Sequence, residues 1–175
     1  STGVVQAFAG RSESQGIEPV DGLFAREVDF SGIDAIAVEN DGSLLIGDNG
    51  FHRVYRIKND GTIEVVVGVQ NQARNSGDRG PARDAQVTGV SDLAVDNDGN
   101  IYIAFHASEN NCKNLKVEFA KINEKYLNFE NFFSSKECGD YDLFGGKMQF
   151  FEHDKIEGLL LTTSDISRDK INDDP

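Results

Sequence analysis

Nowhere does this chain hold an apolar run approaching the ~20 residues that a bilayer-spanning helix requires. Its longest apolar stretches are strand-sized, so membrane insertion is not expected. Basic residues are scarce: 17 Lys and Arg stand against 30 Asp and Glu, a formal net charge of -13. A field of that sign repels phosphate backbones and anionic headgroups, which removes nucleic acid and anionic membrane surfaces as expected partners. Cysteine is confined to Cys112 and Cys138, with no Cys-x-x-Cys and no grouping with histidine, so zinc-ribbon and thioredoxin-like readings fail. Both cysteines fall in segments that read as loops, and a disulfide between them would suit an exported chain. Asn-x-Ser/Thr acceptor sites are missing, and Ser1 to Val5 have neither the basic start nor the apolar core of an export signal, which a mature chain would already have lost. The chain also lacks Gly-x-Ser-x-Gly, His-Glu-x-x-His and any Cys-His pairing, the usual marks of a nucleophilic or zinc hydrolase. Gly77-Asp78-Arg79-Gly80-Pro81 is glycine-rich without the Lys-Ser/Thr ending of a phosphate loop, and reads as a turn between structural units. Although tryptophan is absent, 38% of residues are apolar, enough to build a core.

What the chain does contain is a repeat. Ile33-Asp34-Ala35-Ile36-Ala37-Val38-Glu39-Asn40-Asp41-Gly42-Ser43-Leu44-Leu45-Ile46-Gly47 aligns without gaps on Val90-Ser91-Asp92-Leu93-Ala94-Val95-Asp96-Asn97-Asp98-Gly99-Asn100-Ile101-Tyr102-Ile103-Ala104, an offset of 57 residues. Each copy runs a short apolar strand into Asn-Asp-Gly and out into a second, the signature of a tight hairpin, with Asp41, Gly42, Asp98 and Gly99 as its turn residues. The match extends to Arg53–Ile57 with Lys113–Val117, and to Gly3–Gly10 with Gly61–Gly68, so each unit holds four short strands. An eroded third copy is read in Gln149–Asp154, Gly158–Thr162 and Ser167–Ile171, with an insertion at Lys155 to Glu157. Helical periodicity is almost absent; in Ala120 to Phe133 a short helix competes with an enlarged loop followed by an outer strand. Four-stranded units of this size are those of propeller blades. The expected fold is therefore all-β, a partial β-propeller of about three antiparallel blades in one repeat domain over 1–175. The units are approximately 33–67, 90–133 and 147–171, with 4–9 as an outer strand completing another blade. Ile36, Val38, Leu45, Ile57, Leu93, Val95, Tyr102, Ile103, Leu115 and Val117 are the expected core between stacked sheets.

Ser76-Gly77-Asp78-Arg79-Gly80-Pro81-Ala82, Ala85-Gln86-Val87 and the strand pair Leu93 to Ala104 together resemble the NHL-repeat family of bacterial and extracellular propellers. In the first copy, Gly42 to Asp48, His52-Arg53-Val54 and the outer strand ending at Gly68 follow the same pattern. The resemblance covers residues 1–119 well and 147–171 poorly. Phe51 replaces the family's Asn before the His, Phe105 stands where Asp48 stands in the first copy, and the second copy lacks the His-Arg pair. The resemblance implies about half of a six-bladed propeller, and it brings in calcium-dependent lactonases and peptide-amidating lyases, which carry a metal at the central channel. Asp34, Asp48 and Asp92 are the carboxylates at inner-strand ends that such a metal would use.

Other constellations point to structure. Asp96-Asn97-Asp98-Gly99-Asn100 is oxygen-rich, but the position of a calcium loop's distal carboxylate falls on Ala107. His52, His106 and His153 occupy non-equivalent repeat positions, so shared coordination is not expected. His52, Asp48 and Arg53 read instead as a hydrogen-bonded loop anchor. With no catalytic cluster left over, the leading expectation is a non-enzymatic module for protein binding or assembly, extracellular or otherwise exported and without a cofactor. The alternatives are a calcium-dependent propeller enzyme and a structural subunit of a larger extracellular complex. Because an open row of blades exposes apolar end faces, closure is expected with another copy, with a similar half-propeller chain, or within a longer polypeptide.

Overall fold

A computed structural model describes residues 3, 6–69, 81–87, 89–109, 112–121, 130–134, 147–153 and 156–162. It is all-β, with no α-helix among the described residues. The first sheet is an antiparallel meander of β1 (Ile33–Val38), β2 (Leu44–Asp48), β3 (Arg53–Ile57) and β4 (Ile63–Val67). The second repeats that order with β5 (Val90–Val95), β6 (Asn100–Glu109), β7 (Cys112–Lys121) and β8 (Glu130–Ser134). A two-stranded sheet follows, β9 (Lys147–His153) with β10 (Ile156–Thr162). β1 lies beside β5 and β5 beside β9, so the first strands of the three sheets adjoin. We refer to these as the inner strands.

Local sequence explains the repeated hairpin. Gly42 and Gly99 sit at φ 90° and 82°, a region that costs glycine little and other residues much. In the first turn Glu39 N–H donates to Ser43 O at 2.8 Å, and Asp41 Oδ1 accepts from Ser43 N at 2.8 Å. In the second, Asp96 N–H donates to Asn100 O at 3.1 Å, and Asp96 Oδ1 accepts from Asn100 N at 2.7 Å. The turns also meet: the Asn40 amide donates to Asp96 O at 3.2 Å and Asn97 O at 2.9 Å. A bulge interrupts β1 between Ile33 and Ala35, and another interrupts β5 between Val90 and Asp92. The copies therefore match even in their irregularities.

Every strand of the first sheet alternates between two apolar faces. Ala35, Leu45, Val54 and Val67 point toward the second sheet, where Val87, Val90, Leu93, Ile101, Ile103 and Phe105 meet them. Ile46, Tyr55, Ile57, Ile63 and Val65 point the other way and are covered by Ala25, Val28, Leu23 and Phe30 of the segment before β1. That segment is clipped to the β4 edge by Gly22 N to Ile63 O at 2.9 Å, Ile63 N to Leu23 O at 2.8 Å and Ala25 N to Gly61 O at 2.9 Å. The second sheet's far face, Ala94, Tyr102 and Ala104, packs on Met148 and Leu159 of the hairpin.

Several expectations are corrected. Ile36 and Val38 are not core residues; they are 61% and 65% exposed, because they lie on the face turned away from the second sheet, at β1, beyond the reach of the covering segment. Their inward neighbours are Ala35 and Ala37. Leu45, Ile57, Leu93, Tyr102 and Ile103 are buried and Val95 is half-buried; the side chains of Leu115 and Val117 lie outside the described residues. No strand forms over Gln6 to Phe8, where Phe8 is 57% exposed and no neighbouring ladder is paired with it; Val4 and Val5 lie outside the described residues. Ile156 and Glu157 are not a turn insertion: β10 starts at Ile156, opposite His153. The expected strand at Ser167–Ile171 lies outside the described residues, as do 122–129, while 130–134 form β8.

Leu93 and Ile36 occupy the same repeat position at 3% and 61% exposure, so their truncations should diverge. Leu93→Ala should cost about 2 to 4 kcal/mol. Ile36→Ala should cost less than about 1 kcal/mol in the single chain, since little area is already buried. Urea unfolding of both variants measures the difference. Burial also pushes the phenols of Tyr55 and Tyr102 up to about 12 from an ordinary 10.0, the nearby Arg53 opposing the rise at Tyr55 and Asp96 adding to it at Tyr102. The unfolded chain then loses these protons first, so their contribution is intact below pH 10 and is lost as pH rises from 10 toward 12. Tyr55→Phe should flatten that alkaline fall in stability, measured by denaturant midpoint against pH.

Candidate functional site

Of the residues singled out in the sequence, Asp34 and Asp92 meet at the inner rim, where the inner strands adjoin, and Asp48 stands at the end of β2 beside it. Asp48, fully buried at the end of β2, accepts four main-chain hydrogen bonds. Ser31 N donates to Oδ2 at 2.9 Å, and Gly32 N, Gly50 N and Phe51 N donate to Oδ1 at 2.9, 2.9 and 3.2 Å. Its work is to tie the entry into β1 to the β2–β3 turn. Gly50 fits there because an added Cβ would collide with the Ser31 side chain. The anchor expected of Asp48 thus uses backbone amides rather than the imidazole of His52. His52 precedes β3 at φ 57°, and its buried Nδ1 has no hydrogen-bond partner.

Asp34 occupies the β1 bulge, and its carboxylate accepts from the Asn49 amide. Its carbonyl accepts from Lys147 Nζ at 3.2 Å, and the carbonyl of Ser91, in the matching bulge of β5, accepts from the same ammonium at 3.0 Å. Asp92 is the third party: Oδ2 accepts from Met148 N at 2.5 Å, and Oδ1 lies 3.6 Å from Lys147 Nζ. The structure therefore brings Asp34 and Asp92 to one point, the first through its main chain, and leaves Asp48 apart. Among the described residues no group of three His, Cys, Asp or Glu is arranged to share a metal ion, so these three aspartates do not form a common ligand set. Asp41, Gly42, Asp98 and Gly99 lie in the two hairpin turns, at the end of the sheets opposite Asp48. At that end Arg56 makes a bidentate pair with Glu39, at 2.6 and 2.8 Å, and reaches Glu64 at 3.3 Å, which binds the end of β1 to β3 and β4.

Cys112 opens β7, opposite Glu109, rather than lying in a loop, because β6 and β7 each run ten residues. His106 lies within β6 and His153 closes β9. Cys138, and the side chains of Cys112, His106 and His153, lie outside the described residues.

The second surface of interest is apolar. Ile33, Ile36 and Val38 of β1 are 48%, 61% and 65% exposed on one face. In the second sheet the equivalent Val90 and Leu93 are 0% and 3% exposed, because the first sheet covers them. No family model matches the chain. It is similar to teneurins. Residues are 30% identical to human (Homo sapiens) teneurin-4 over 122 residues, 63% of this chain and 4% of that protein. Against mouse (Mus musculus) teneurin-3 the identity is 30% over 156 residues, 80% of this chain and 6% of that protein. Mouse teneurin-1 is 28% identical over 122 residues. The chain thus spans a small fraction of the length of the curated relatives it matches. Among the described residues no helix is long and apolar enough to cross a membrane.

Lys147, Ser91 and Asn49 were not singled out in the sequence. Lys147 opens the most eroded copy, and the role of Ser91 is carried by a carbonyl, which side-chain chemistry does not advertise. Asp48→Ala should cost about 2 to 4 kcal/mol, since it strands several amide donors inside the fold. Asp48→Asn should cost less, because its amide keeps one acceptor oxygen. Urea titration of the two variants checks the order.

Proposed function

We propose that the chain is a non-enzymatic, extracellular module for protein binding and assembly, built as successive blades of an NHL-like β-propeller whose first blade takes a further sheet on its open face. One comparison carries the reading. At equivalent repeat positions Leu93 is buried by the preceding sheet while Ile36, before which no sheet lies among the described residues, is 61% exposed. The same register position is covered in the second copy and bare at β1 of the first, where the covering segment stops short. Covering Ile36 and Val38 would gain roughly 1 to 2 kcal/mol each. The adjoining inner strands and the shared turn geometry support a propeller path, and the likeness to teneurins supports a place outside the cell. The engaged state of Asp34, Asp48 and Asp92, each holding backbone or side-chain donors, favours a structural role for the rim.

The occupant we assign to the bare face, for the chain on its own, is a second copy. Light scattering should give twice the 19.2 kDa chain mass, and Ile36→Glu with Val38→Glu should return it to the monomer without loss of the β-sheet signal. A stable monodisperse monomer of the unmodified chain would overturn the assignment.

A further inference from the structure

We propose that the inner rim is a built cation site whose resident cation is the ammonium of Lys147. The argument starts from the bulges. Asp34 and Ser91 stand at equivalent register shifts of β1 and β5, and both turn their carbonyls to one point. Repetition brings these two oxygens together, since equivalent atoms of adjacent units face a common centre. Lys147 Nζ lies 3.2 Å from Asp34 O and 3.0 Å from Ser91 O, with Asp92 Oδ1 at 3.6 Å. An ammonium has three N–H donors, and three sheets meet at this one: the oxygens come from the first and second, the lysine from the third.

Asp92 makes the site anionic. Its side chain is 10% exposed, and a carboxylate removed from water to that degree needs a cation and hydrogen-bond donors close by. Met148 N supplies a donor at 2.5 Å, and Lys147, its chain neighbour, supplies the charge. Two carbonyls and one carboxylate are the oxygen donors that suit a hard cation or a primary ammonium. The class of ligand is therefore a small primary alkylammonium, which the chain provides from its own third sheet. The lysine both satisfies the rim and sets where that hairpin docks.

Two measurements test this. Lys147 is more exposed than Lys58, with side chains at 59% and 47%, and each ammonium has a carboxylate near it, Asp92 at 3.6 Å and Glu64 at 3.4 Å, so without the two carbonyls Lys147 would be the faster to acylate. Held by the rim, it should instead react about fivefold more slowly than Lys58 in the intact chain, the factor one net hydrogen bond supplies. Peptide mass spectrometry after brief acetic anhydride treatment reads both rates. Separately, Lys147→Ala should lower the thermal midpoint by about 2 to 4 °C. n-Propylammonium, which replaces the deleted atoms, should restore it saturably, and tetramethylammonium at the same ionic strength should not. Equal or faster acylation of Lys147 than of Lys58 overturns the proposal. So does an unchanged midpoint, or equal restoration by both ammonium salts, which would reduce the effect to screening. Should Lys147→Ala not fold, the acylation ratio decides alone.

Discussion

A sheet that is apolar on both faces has to be covered on both, and the rest of this structure follows from that constraint. β2 reads Leu-Leu-Ile-Gly-Asp and β4 Ile-Glu-Val-Val-Val, so neither face of the first sheet is suited to water. One face takes the second sheet at close range: an added Cβ at Gly47 would stand 2.8 Å from Val90 Cγ1, so the approach depends on glycine. The other face takes the irregular segment ending at Phe30, whose ring meets Tyr55 edge-on with centroids 5.8 Å apart. Where that segment stops short, at β1, the apolar surface remains bare.

The polar groups serve the same stacking. Stacked sheets leave the ends of inner strands close together, and main-chain groups there must find partners. Asp48 gathers the amides entering β1, Asn40 reaches from one hairpin turn to the next, and Asp92 with Lys147 joins the third sheet to the other two. Asp48 does this within the first sheet, and the other two span the seams between sheets. The acidic balance of the chain is consistent with this pattern, for several of its carboxylates hold backbone amides.

Much of this was legible at the level of the repeat. Asn40-Asp41-Gly42 and Asn97-Asp98-Gly99 announce their hairpins through chemistry that is purely local, and the 57-residue offset carries the four-stranded unit with it. Less legible was the face that each residue takes. Ile36 and Leu93 are the same kind of residue at the same repeat position, and alternation places both on the same side of their sheets. Whether that side is core or surface depends on the neighbour, which alternation does not encode. The covering segment before β1 escaped for another reason. It has no periodicity to detect, being held by scattered apolar residues such as Val28 and by three backbone bonds to the β4 edge.

The sequence by itself determined the strands, their turns and their order, because these rest on contacts between residues near one another in the chain: a glycine able to adopt positive φ, an aspartate reaching two residues along, apolar positions in alternation. Only the tertiary structure decided which apolar faces are closed, and which oxygens converge. Asp34 and Ser91 meet Lys147 across 113 and 56 residues of chain, and they do so through carbonyls that every residue possesses. An acceptor common to all positions leaves no trace in residue type. It becomes a site only when bulges and stacking aim two of them at one ammonium.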